Sequence, residues 1–233
     1  MDISYENPFQ PPEAGVLERP ADPGAQQLVP WEDHEAFPGV WKRLGGMFSL
    51  LFSNPLELAD RVPLSEGLAP AWTFNILMAV PYLAFIGVIF AFAGSVFAFA
   101  PPDPNMPKGL MAGVFVGELL FFAALVLVGM FVYGAILHAM LWLWGGTREG
   151  RGLGQTIRFC GYAWGFVHLG MVIPCFGALV ALAGLIYVAI GLARIHRTDT
   201  WRAVCAIFTP LLLCCFCYAL ILVFAIGMSG FKH

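Results

Sequence analysis

Residues 157–192 read IRFCGYAWGFVHLGMVIPCFGALVALAGLIYVAIGL, an apolar run of 36 residues in which Arg158 and His168 are the only basic side chains. A single membrane-spanning helix needs about 20 apolar residues, so this run is too long for one crossing. Pro174 lies near its middle, and proline removes a backbone donor and interrupts a helix. The run therefore predicts a hairpin, with helices over about 157–172 and 176–193 joined by a turn at 173–175.

Three further apolar runs accompany this hairpin. Residues 72–100, in which Pro81 predicts a kink, are separated from residues 110–144 by the proline-rich loop 101–107. As a helix, residues 110–144 would extend about 52 Å at about 1.5 Å per residue, so we expect this helix to tilt, break or project from a bilayer core of about 30 Å. The five predicted spans are therefore about 72–100, 110–144, 157–172, 176–193 and 201–228.

The composition places the whole chain among the membrane proteins. Apolar residues make up 59% of the 233 residues and charged residues only 12%, against roughly 25% charged in soluble domains. This composition excludes a soluble enzyme, a nucleic-acid-binding protein and a disordered chain. The predicted fold class is all-α: a polytopic membrane protein with five transmembrane helices over residues 71–230, preceded by an amphipathic interfacial helix.

The N-terminal part of the chain differs in charge from the rest. Residues 1–66 carry a net charge of −7, and the remaining 167 residues carry +4. Seven prolines and scattered acids within residues 1–40 leave too little apolar surface to offset the entropy of ordering the chain. Residues 1–36 are therefore predicted to form a disordered, acidic, proline-rich cytoplasmic tail.

Residues 37–70 are predicted to form an amphipathic interfacial helix and a linker. Apolar side chains recur at steps of three and four from Phe37 to Phe52, while Lys42 and Arg43 fall off this stripe. A helix with a tryptophan and two bases is typical of a segment that lies in the membrane interface. The same face could instead pack on the transmembrane bundle, and both alternatives stay open.

The distribution of bases predicts the orientation in the membrane. Five spans put the N-terminus and the loops 145–156 and 194–200 on one side, which then carries ten bases against two on the other. We therefore predict a cytoplasmic N-terminus and a C-terminus outside. Four spans would instead place the three arginines of residues 194–202 outside, so the charge count favours the hairpin independently of Pro174.

An ordered series of small, aromatic and basic residues runs through the second half of the chain. It comprises Gly145-Gly146, Gly154-Gln155-Thr156, Gly161-Tyr162-Ala163, Pro174 with Gly177, Gly191-Leu192 ahead of His196, and Arg202-Ala203 ahead of Pro210. This series resembles the YIP domain family of Ypt/Rab-interacting membrane proteins, over residues 37–228 and most closely over 145–210. Its family-motif positions include Gly161, Tyr162, Pro174 and Pro210.

The resemblance implies a non-enzymatic membrane protein with five spans. Eukaryotic relatives lie in early secretory membranes, bind membrane proteins of their own family and associate with small GTPases. This chain lacks the Asp-Leu-Tyr-Gly-Pro-type motif ahead of the first span, and its spans resemble those of the bacterial branch. The resemblance therefore implies a bacterial inner (cytoplasmic) membrane, and GTPase binding is not carried over.

Glu118 and His168 are the sharpest candidates for chemistry within the spans. A charged side chain at mid-membrane costs roughly 2.5–3.5 kcal/mol on insertion scales. At about 1.5 Å per residue, both lie about 10 Å deep in the outer half of the membrane, so we expect them to face each other. The functional interpretation is a proton or cation site. The structural alternative is a hydrogen bond between two helices, or a protonated Glu118 without a partner.

Asn75 and His138 occupy corresponding positions near the inner face, where they are interpreted as an interhelical amide beside an interface-anchored histidine. Two small-xxx-small stripes would allow close helix approach within one bundle or between subunits. They are formed by Gly109, Gly113 and Gly117 and by Gly161 and Gly165.

Six arginines of the inner side are candidates for binding anionic lipid headgroups, and ordinary positive-inside topology is the alternative explanation. They are Arg148, Arg151, Arg158, Arg194, Arg197 and Arg202. The six cysteines lie in or beside apolar runs and are interpreted as small hydrophobic side chains. No spacing of His, Cys and acidic residues matches a metal centre or a catalytic set, so no metal, cofactor or catalytic residue is predicted.

The preferred functional hypothesis is a non-enzymatic, membrane-organising protein that acts through helix–helix and lipid contacts. The expected partners are membrane lipids and other membrane proteins or further copies of this chain, and no nucleic acid is expected. The alternative hypothesis is a small transporter, channel or lipid-moving protein that uses an intramembrane Glu118/His168 site.

Overall fold

Seven α-helices make up the secondary structure of the computed structural model, which describes residues 27–63, 67–99, 110–147, 151–173 and 176–230. They are α1 (Val40–Ser53), α2 (Glu57–Arg61), α3 (Ala69–Phe99), α4 (Leu110–Leu143), α5 (Leu153–Gly170), α6 (Gly177–Ile195) and α7 (Thr200–Gly230). The described chain contains no strand, so the all-α prediction is confirmed. The two short helices precede a bundle formed by the five long ones.

The helix break predicted within residues 157–192 is confirmed. Helix α5 ends at Gly170 and α6 begins at Gly177. The two helices run antiparallel, because a Cβ on Gly170 would meet Val180 and one on Gly184 would meet Val167. Pro174, the basis of the prediction, lies with Cys175 outside the described residues.

Helix α5 is the centre of the bundle and packs against α3, α4 and α6. Its close approach to α3 depends on two glycines. A Cβ on Gly161 would lie 3.1 Å from the Cβ of Ala71, and a Cβ on Gly165 would lie 2.7 Å from the ring of Phe74. The Gly161/Gly165 stripe therefore allows close packing within a single bundle.

The other predicted glycine stripe makes no such contact. A Cβ on Gly113 or Gly117 of α4 would have no neighbouring atom within 4 Å, and Gly109 lies outside the described residues. Helix α4 runs unbroken through its 34 residues, so the break that was one of the expectations for this long helix does not occur. Tilting in the bilayer, or projection from it, stays a prediction.

Within the described residues, four helices are long and apolar enough to cross a membrane, namely α3, α4, α6 and α7. Helix α5 differs because it carries Gln155, Thr156 and Arg158 in its first turns, and all three are buried. A helix that is surrounded by other helices does not need the apolar surface that contact with lipid requires. The polarity of α5 thus follows from its central position.

The cysteines do not behave uniformly as packed hydrophobic side chains. Cys160 is buried in α5, but Cys214, Cys215 and Cys217 are exposed free thiols on α7. Among the described side chains of α7, the buried ones lie in its first third, at Ala203, Ala206 and Ile207, and those at 211–221, 223 and 224 are exposed on the outer surface of the bundle.

Residues 27–36, which the composition predicts to be part of a disordered tail, pack against the bundle. Val29 and Trp31 are buried. The ring of Trp31 meets the ring of Phe74 edge-on at 5.4 Å, and the guanidinium of Arg43 lies 5.1 Å from the centre of the indole. Composition alone misleads here because two apolar side chains are enough to dock a short polar segment. Residues 1–26 lie outside the described part of the chain.

Helix α1 begins at Val40, three residues later than predicted. Gly39, directly before this helix, has a positive φ of 89°. This backbone conformation is not helical, so α1 does not extend further towards the N-terminus. Leu44, Met47 and Leu50 of α1 are buried, and the ring of Phe48 lies 5.7 Å from that of Phe166 in α5. We call residues 27–63 the N-terminal arm.

Candidate functional site

A buried ion pair fastens the N-terminal arm to α5. The Nε–H of Arg158 donates to Oε1 of Glu32 at 2.9 Å, and Nη2 of Arg158 pairs with the other oxygen of the same carboxylate. The hydroxyl of Tyr162 also donates to Oε1. The side chains of Arg158 and Glu32 are only 5% and 8% exposed. Two-point Arg–carboxylate pairs of this kind are among the strong, directional hydrogen bonds.

This arrangement changes the expected role of Arg158. Its guanidinium is buried against Glu32 and is not accessible to lipid headgroups, so that prediction is wrong for this residue. Arg158 and Tyr162 are four residues apart on one face of α5, which is why both reach the same carboxylate. Sequence reasoning missed Glu32 because it lies within the proline-rich segment. The available signal was that a buried arginine requires an opposite charge.

A second cluster joins three helices at Thr156. The Oγ1 of Thr156 lies 3.0 Å from Nδ1 of His138 in α4 and 2.8 Å from Nε2 of His196 at the end of α6. The two imidazole rings are 5.4 Å apart. A hydroxyl carries one hydrogen, so at least one histidine must donate to it. Burial lowers the pKa of His196 from 6.5 to about 4, helped by the nearby His138 and Arg151.

The other arginines that were predicted to bind lipid headgroups mostly bind protein groups. Arg151 donates to the carbonyl of Ile195, and Arg194 donates to the carboxylate of Asp60 at 2.8 Å. The guanidinium of Arg202 donates to the carbonyl of Gly145 and lies 3.5 Å from the carboxylate of Asp199. Arg197 is exposed, and Arg148 lies outside the described residues.

These contacts bring three distant segments together. The N-terminal arm, residues 144–147 and 151–158, and residues 194–202 meet at one end of the bundle, which we call the basic end. Polar contacts of the arm with the bundle include the Glu32–Arg158 pair, the Asp60–Arg194 pair, and the hydroxyl of Tyr187, which donates to the carbonyl of Pro55 at 2.8 Å.

A cavity of about 290 Å³ lies among α3, α4 and α5. Four of its lining residues, Asn75, Tyr133, Trp164 and His168, each have a buried polar atom without a hydrogen-bond partner in the described chain. These are half of the eight such side-chain atoms found there. The rest of the wall is mainly apolar, formed by Tyr82, Phe122, Leu125, Val126, Gly129, Met130 and Met171.

The predicted Glu118–His168 pair is not formed. The side chain of Glu118 is exposed on α4, and it makes no ion pair with His168. His168 instead stacks on Tyr82 at 5.9 Å and lies 5.9 Å from the ring of Trp164.

Helix α5 approaches α4 with Ile157 at Gly134 and Gly161 at Met130. This antiparallel register puts His168 level with about residue 123 and leaves Glu118 about five residues, roughly 7.5 Å at about 1.5 Å per residue, further along α4. Counting residues from the end of each span does not give this register.

Asn75 and His138 serve different contacts. Nδ2 of Asn75 donates across the α3–α4 boundary to the carbonyl of Val126 at 3.2 Å, whereas His138 contacts Thr156 in the basic end. Asn75 therefore faces the cavity and His138 does not, although the sequence placed them at corresponding depths.

The bundle of apolar helices and its packing define a polytopic helical membrane protein. Residues 65–222 match the Yip1 domain. The chain belongs to the Yip1 domain family, as its motif series predicted. No curated protein and no solved structure matches it. The match includes Arg158, Tyr162 and the cavity, but Glu32, which neutralises Arg158, lies ahead of it.

Proposed function

We propose that this protein is a non-enzymatic, membrane-organising protein that acts through contacts with lipids and with other membrane proteins. The observation that carries this proposal is the outward side of α1. Trp41 and Phe52 are 85% and 81% exposed, although α1 is docked on the bundle. These large apolar side chains lie three helical turns apart along one edge, which suits contact with a bilayer.

The remaining surface of α1 supports an interfacial position. Around the helix axis, Lys42 and Ser49 lie on a different edge from Trp41 and Phe52, and all four are exposed. A helix with one side on the bundle, one apolar edge and one polar edge can lie between the acyl chains and the headgroups. Such a helix would expand a single leaflet, and its fixed attachment to the bundle would transmit that strain.

The proposed topology has five crossings with a cytoplasmic N-terminus. Helix α5 is 18 residues long, about 27 Å at about 1.5 Å per residue, which approaches the core thickness of about 30 Å. Helix α5 also packs antiparallel to α6, which supports the proposal that α5 crosses the membrane. The basic end would then face the cytoplasm, and the resemblance to the bacterial branch favours a bacterial inner membrane.

The test compares wild-type protein with a Trp41→Ser/Phe52→Ser variant in vesicles that contain anionic lipid. Wild-type protein is expected to shift the vesicle diameters to smaller values, measured by electron cryo-microscopy, and the double variant is expected to lose this effect. Ser49→Ala, on the polar edge of α1, is the matched control and should behave as wild type. Equal diameters for wild type and the double variant at equal incorporation would contradict the proposal.

Interaction with other membrane proteins requires a separate measurement. Purification in mild detergent or native nanodiscs should recover a stoichiometric membrane-protein partner, or further copies of the chain, with the wild type. Recovery of the chain alone, at a mass that corresponds to one copy, would contradict this part of the proposal.

A further inference from the structure

We propose that α4 carries a binding site for a single-chain amphiphile with a quaternary ammonium head. In this site Glu118 binds the head, and the cavity among α3, α4 and α5 takes the alkyl chain. The inference goes beyond the proposed function and does not depend on the position of α1. It rests on the isolated carboxylate of Glu118, on its alignment with the cavity along α4, and on the aromatic rings beside it.

Glu118 is the only carboxylate of the long helices, because α3 to α7 contain no other Asp or Glu. Its side chain is exposed on α4, and it forms no ion pair with any residue that the structure describes. Val114, Leu120 and Phe121 around it are exposed and apolar. A carboxylate on an apolar, lipid-facing surface is costly without a counter-charge. Charge complementarity therefore favours a cationic ligand.

The position of Glu118 along α4 suits a headgroup. Helix α4 has 34 residues and extends about 51 Å at about 1.5 Å per residue. Centred on a core of about 30 Å, such a helix extends about 10 Å beyond the core at each end. Glu118 lies about 12 Å from Leu110, where α4 begins on the side away from the basic end. Its carboxylate therefore lies near the boundary between headgroups and acyl chains.

The face of α4 that carries Glu118 leads into the cavity. Phe122, Leu125 and Gly129 line the cavity and follow Glu118 at steps of four, three and four residues, so all four lie along one face of the unbroken helix. At about 1.5 Å per residue, Phe122 lies about 6 Å deeper than Glu118, and Gly129 about 17 Å deeper. A head bound at Glu118 would thus place the following carbons of its chain in the cavity.

The cavity offers an apolar surface to this chain. Its volume of about 290 Å³ lies at the lower end of the range of about 300–1,000 Å³ for small-molecule pockets. The unpaired polar atoms of its lining residues are themselves buried, so carbon atoms form most of the surface that borders the free space. Apolar cavities stay dry and bind apolar molecules. Leu125, part of the wall, is 47% exposed, so a chain can enter from the surrounding lipid.

Aromatic rings beside Glu118 favour a quaternary ammonium as the head. Phe121 and Phe122 follow Glu118 by three and four residues and are its neighbours on the helix surface. The centres of the two rings are 6.1 Å apart, and Phe121 is 60% exposed. Aromatic faces attract quaternary ammonium groups, and the carboxylate of Glu118 adds the opposite charge. Together they favour this head over a neutral or anionic one.

The lack of bases in this region disfavours a phospholipid. Helix α3 contains no Lys, Arg or His, α4 contains none before His138, and no Lys or Arg is among the residues that line the cavity. In a choline phospholipid the phosphate lies between the ammonium and the chains. This phosphate would therefore lie between Glu118 and the cavity without a counter-charge, which is strongly disfavoured. A single-chain cation without a phosphate avoids this cost.

The experiment measures binding of radiolabelled decyltrimethylammonium to the full-length protein in nanodiscs, with binding to empty nanodiscs subtracted. Decanol, decanoate and decylphosphocholine, which have the same chain, serve as competitors. Decyltrimethylammonium should bind saturably, and each competitor should bind roughly tenfold more weakly or worse. Glu118→Gln keeps the shape of the side chain and removes its charge, so it should weaken binding roughly tenfold. Glu35→Gln removes an exposed carboxylate of the N-terminal arm and should bind as wild type.

A second pair of variants tests the position of the chain. A Cβ at Gly129 or at Gly113 would have no neighbour within 4 Å, so leucine at either position should preserve the fold. Gly129 lines the cavity and Gly113 does not. Gly129→Leu should therefore abolish binding, and Gly113→Leu, the matched control, should bind as wild type.

Four results would overturn the proposal. They are no saturable binding of decyltrimethylammonium, equal affinity in Glu118→Gln and wild type, equal affinity in Gly129→Leu and wild type, or equal or tighter binding of a competitor. None of these results depends on vesicle shape, so failure here leaves the proposed function open.

Discussion

Glu32 and Arg158 are 126 residues apart in sequence, yet their side chains form a buried two-point ion pair between the N-terminal arm and the central helix of the bundle. The Yip1 match begins at residue 65, so the carboxylate that neutralises this arginine comes from outside the matched domain. The arm is thus needed for the charge balance of the domain interior, and the same ion pair fastens the segment that leads into α1.

Glu32→Gln is expected to destabilise the protein strongly. It leaves the guanidinium of Arg158 buried without a counter-charge, which typically costs about 3–5 kcal/mol. Thermal unfolding in detergent should show a clear decrease in Tm. Glu35→Gln, at an exposed position of the same segment, is the control and should unfold as wild type.

The combination Glu32→Leu/Arg158→Met is expected to cost less than the sum of the two single changes, because it removes both charges together. Additive losses would show that the two side chains do not interact, and would contradict the ion pair.

Stability is expected to fall as the pH is lowered, through His196. Its pKa is about 4 in the folded protein, against an ordinary value of 6.5, mainly because of burial. Between these values the unfolded chain binds a proton that the folded chain does not, so stability is fully present above about pH 6.5 and decreases as the pH falls towards about pH 4. The measurement is the Tm in detergent at about pH 7.5 and about pH 5.

The control for this prediction separates His196 from other groups. His196→Gln can retain a hydrogen bond to Thr156 but does not titrate, so the difference in Tm between the two pH values should shrink. An unchanged difference in the His196 variant would show that this residue does not sense pH.

Local signals in the sequence predicted the elements of the fold well. Pro174 and the length of the surrounding run predicted the break between α5 and α6, because both depend on short-range sterics and on membrane thickness. The motif series around Gly161 and Tyr162 predicted the family. Those glycines also permit the close α3–α5 contact, so local pattern and packing agree there.

The candidate sites depended on information that the sequence does not carry locally. Glu118 and His168 were matched by counting residues from the ends of their spans, but contact depends on the register between α4 and α5, which packing determines. Glu32 was overlooked because its proline-rich surroundings indicate disorder. The neighbouring Trp31, which packs on Phe74, anchors this segment to the bundle. The cavity depends on how α3, α4 and α5 pack against one another, and a gap between helices leaves no pattern in a sequence.

The α4–α5 contact predicts a sharp difference between two glycines of α4. A Cβ on Gly134 would lie 2.8 Å from the backbone Cα of Ile157, so Gly134→Ala requires the helices to separate, and overpacking of this kind costs typically 1–3 kcal/mol. Gly117→Ala is the matched control, since its Cβ would have no neighbour within 4 Å. Gly134→Ala should lower the Tm in detergent and Gly117→Ala should not. Equal Tm values would contradict the close α4–α5 packing.

Glu118 and His168 are expected to act independently. Because they form no ion pair, the losses in Tm from Glu118→Gln and His168→Asn should add in the double variant. Proton flux into reconstituted vesicles should not depend on Glu118. A coupling well beyond about 0.5 kcal/mol, or a flux that Glu118→Gln abolishes, would instead support the transporter hypothesis.

The last prediction concerns the topology of the membrane crossings. In a cysteine-free background, a cysteine at Thr147 or Thr198 should be protected from an impermeant maleimide added outside, because both belong to the basic end, which contains most of the arginines. A cysteine at Asp103 should react, since five crossings place the loop between the first two spans outside. Permeabilised cells provide the control, in which Thr147→Cys and Thr198→Cys should both become reactive. Labelling of Thr198→Cys from outside in intact cells would mean that residues 157–192 cross the membrane once, with α5 and α6 not both spanning, and the proposed five-span arrangement would then be wrong.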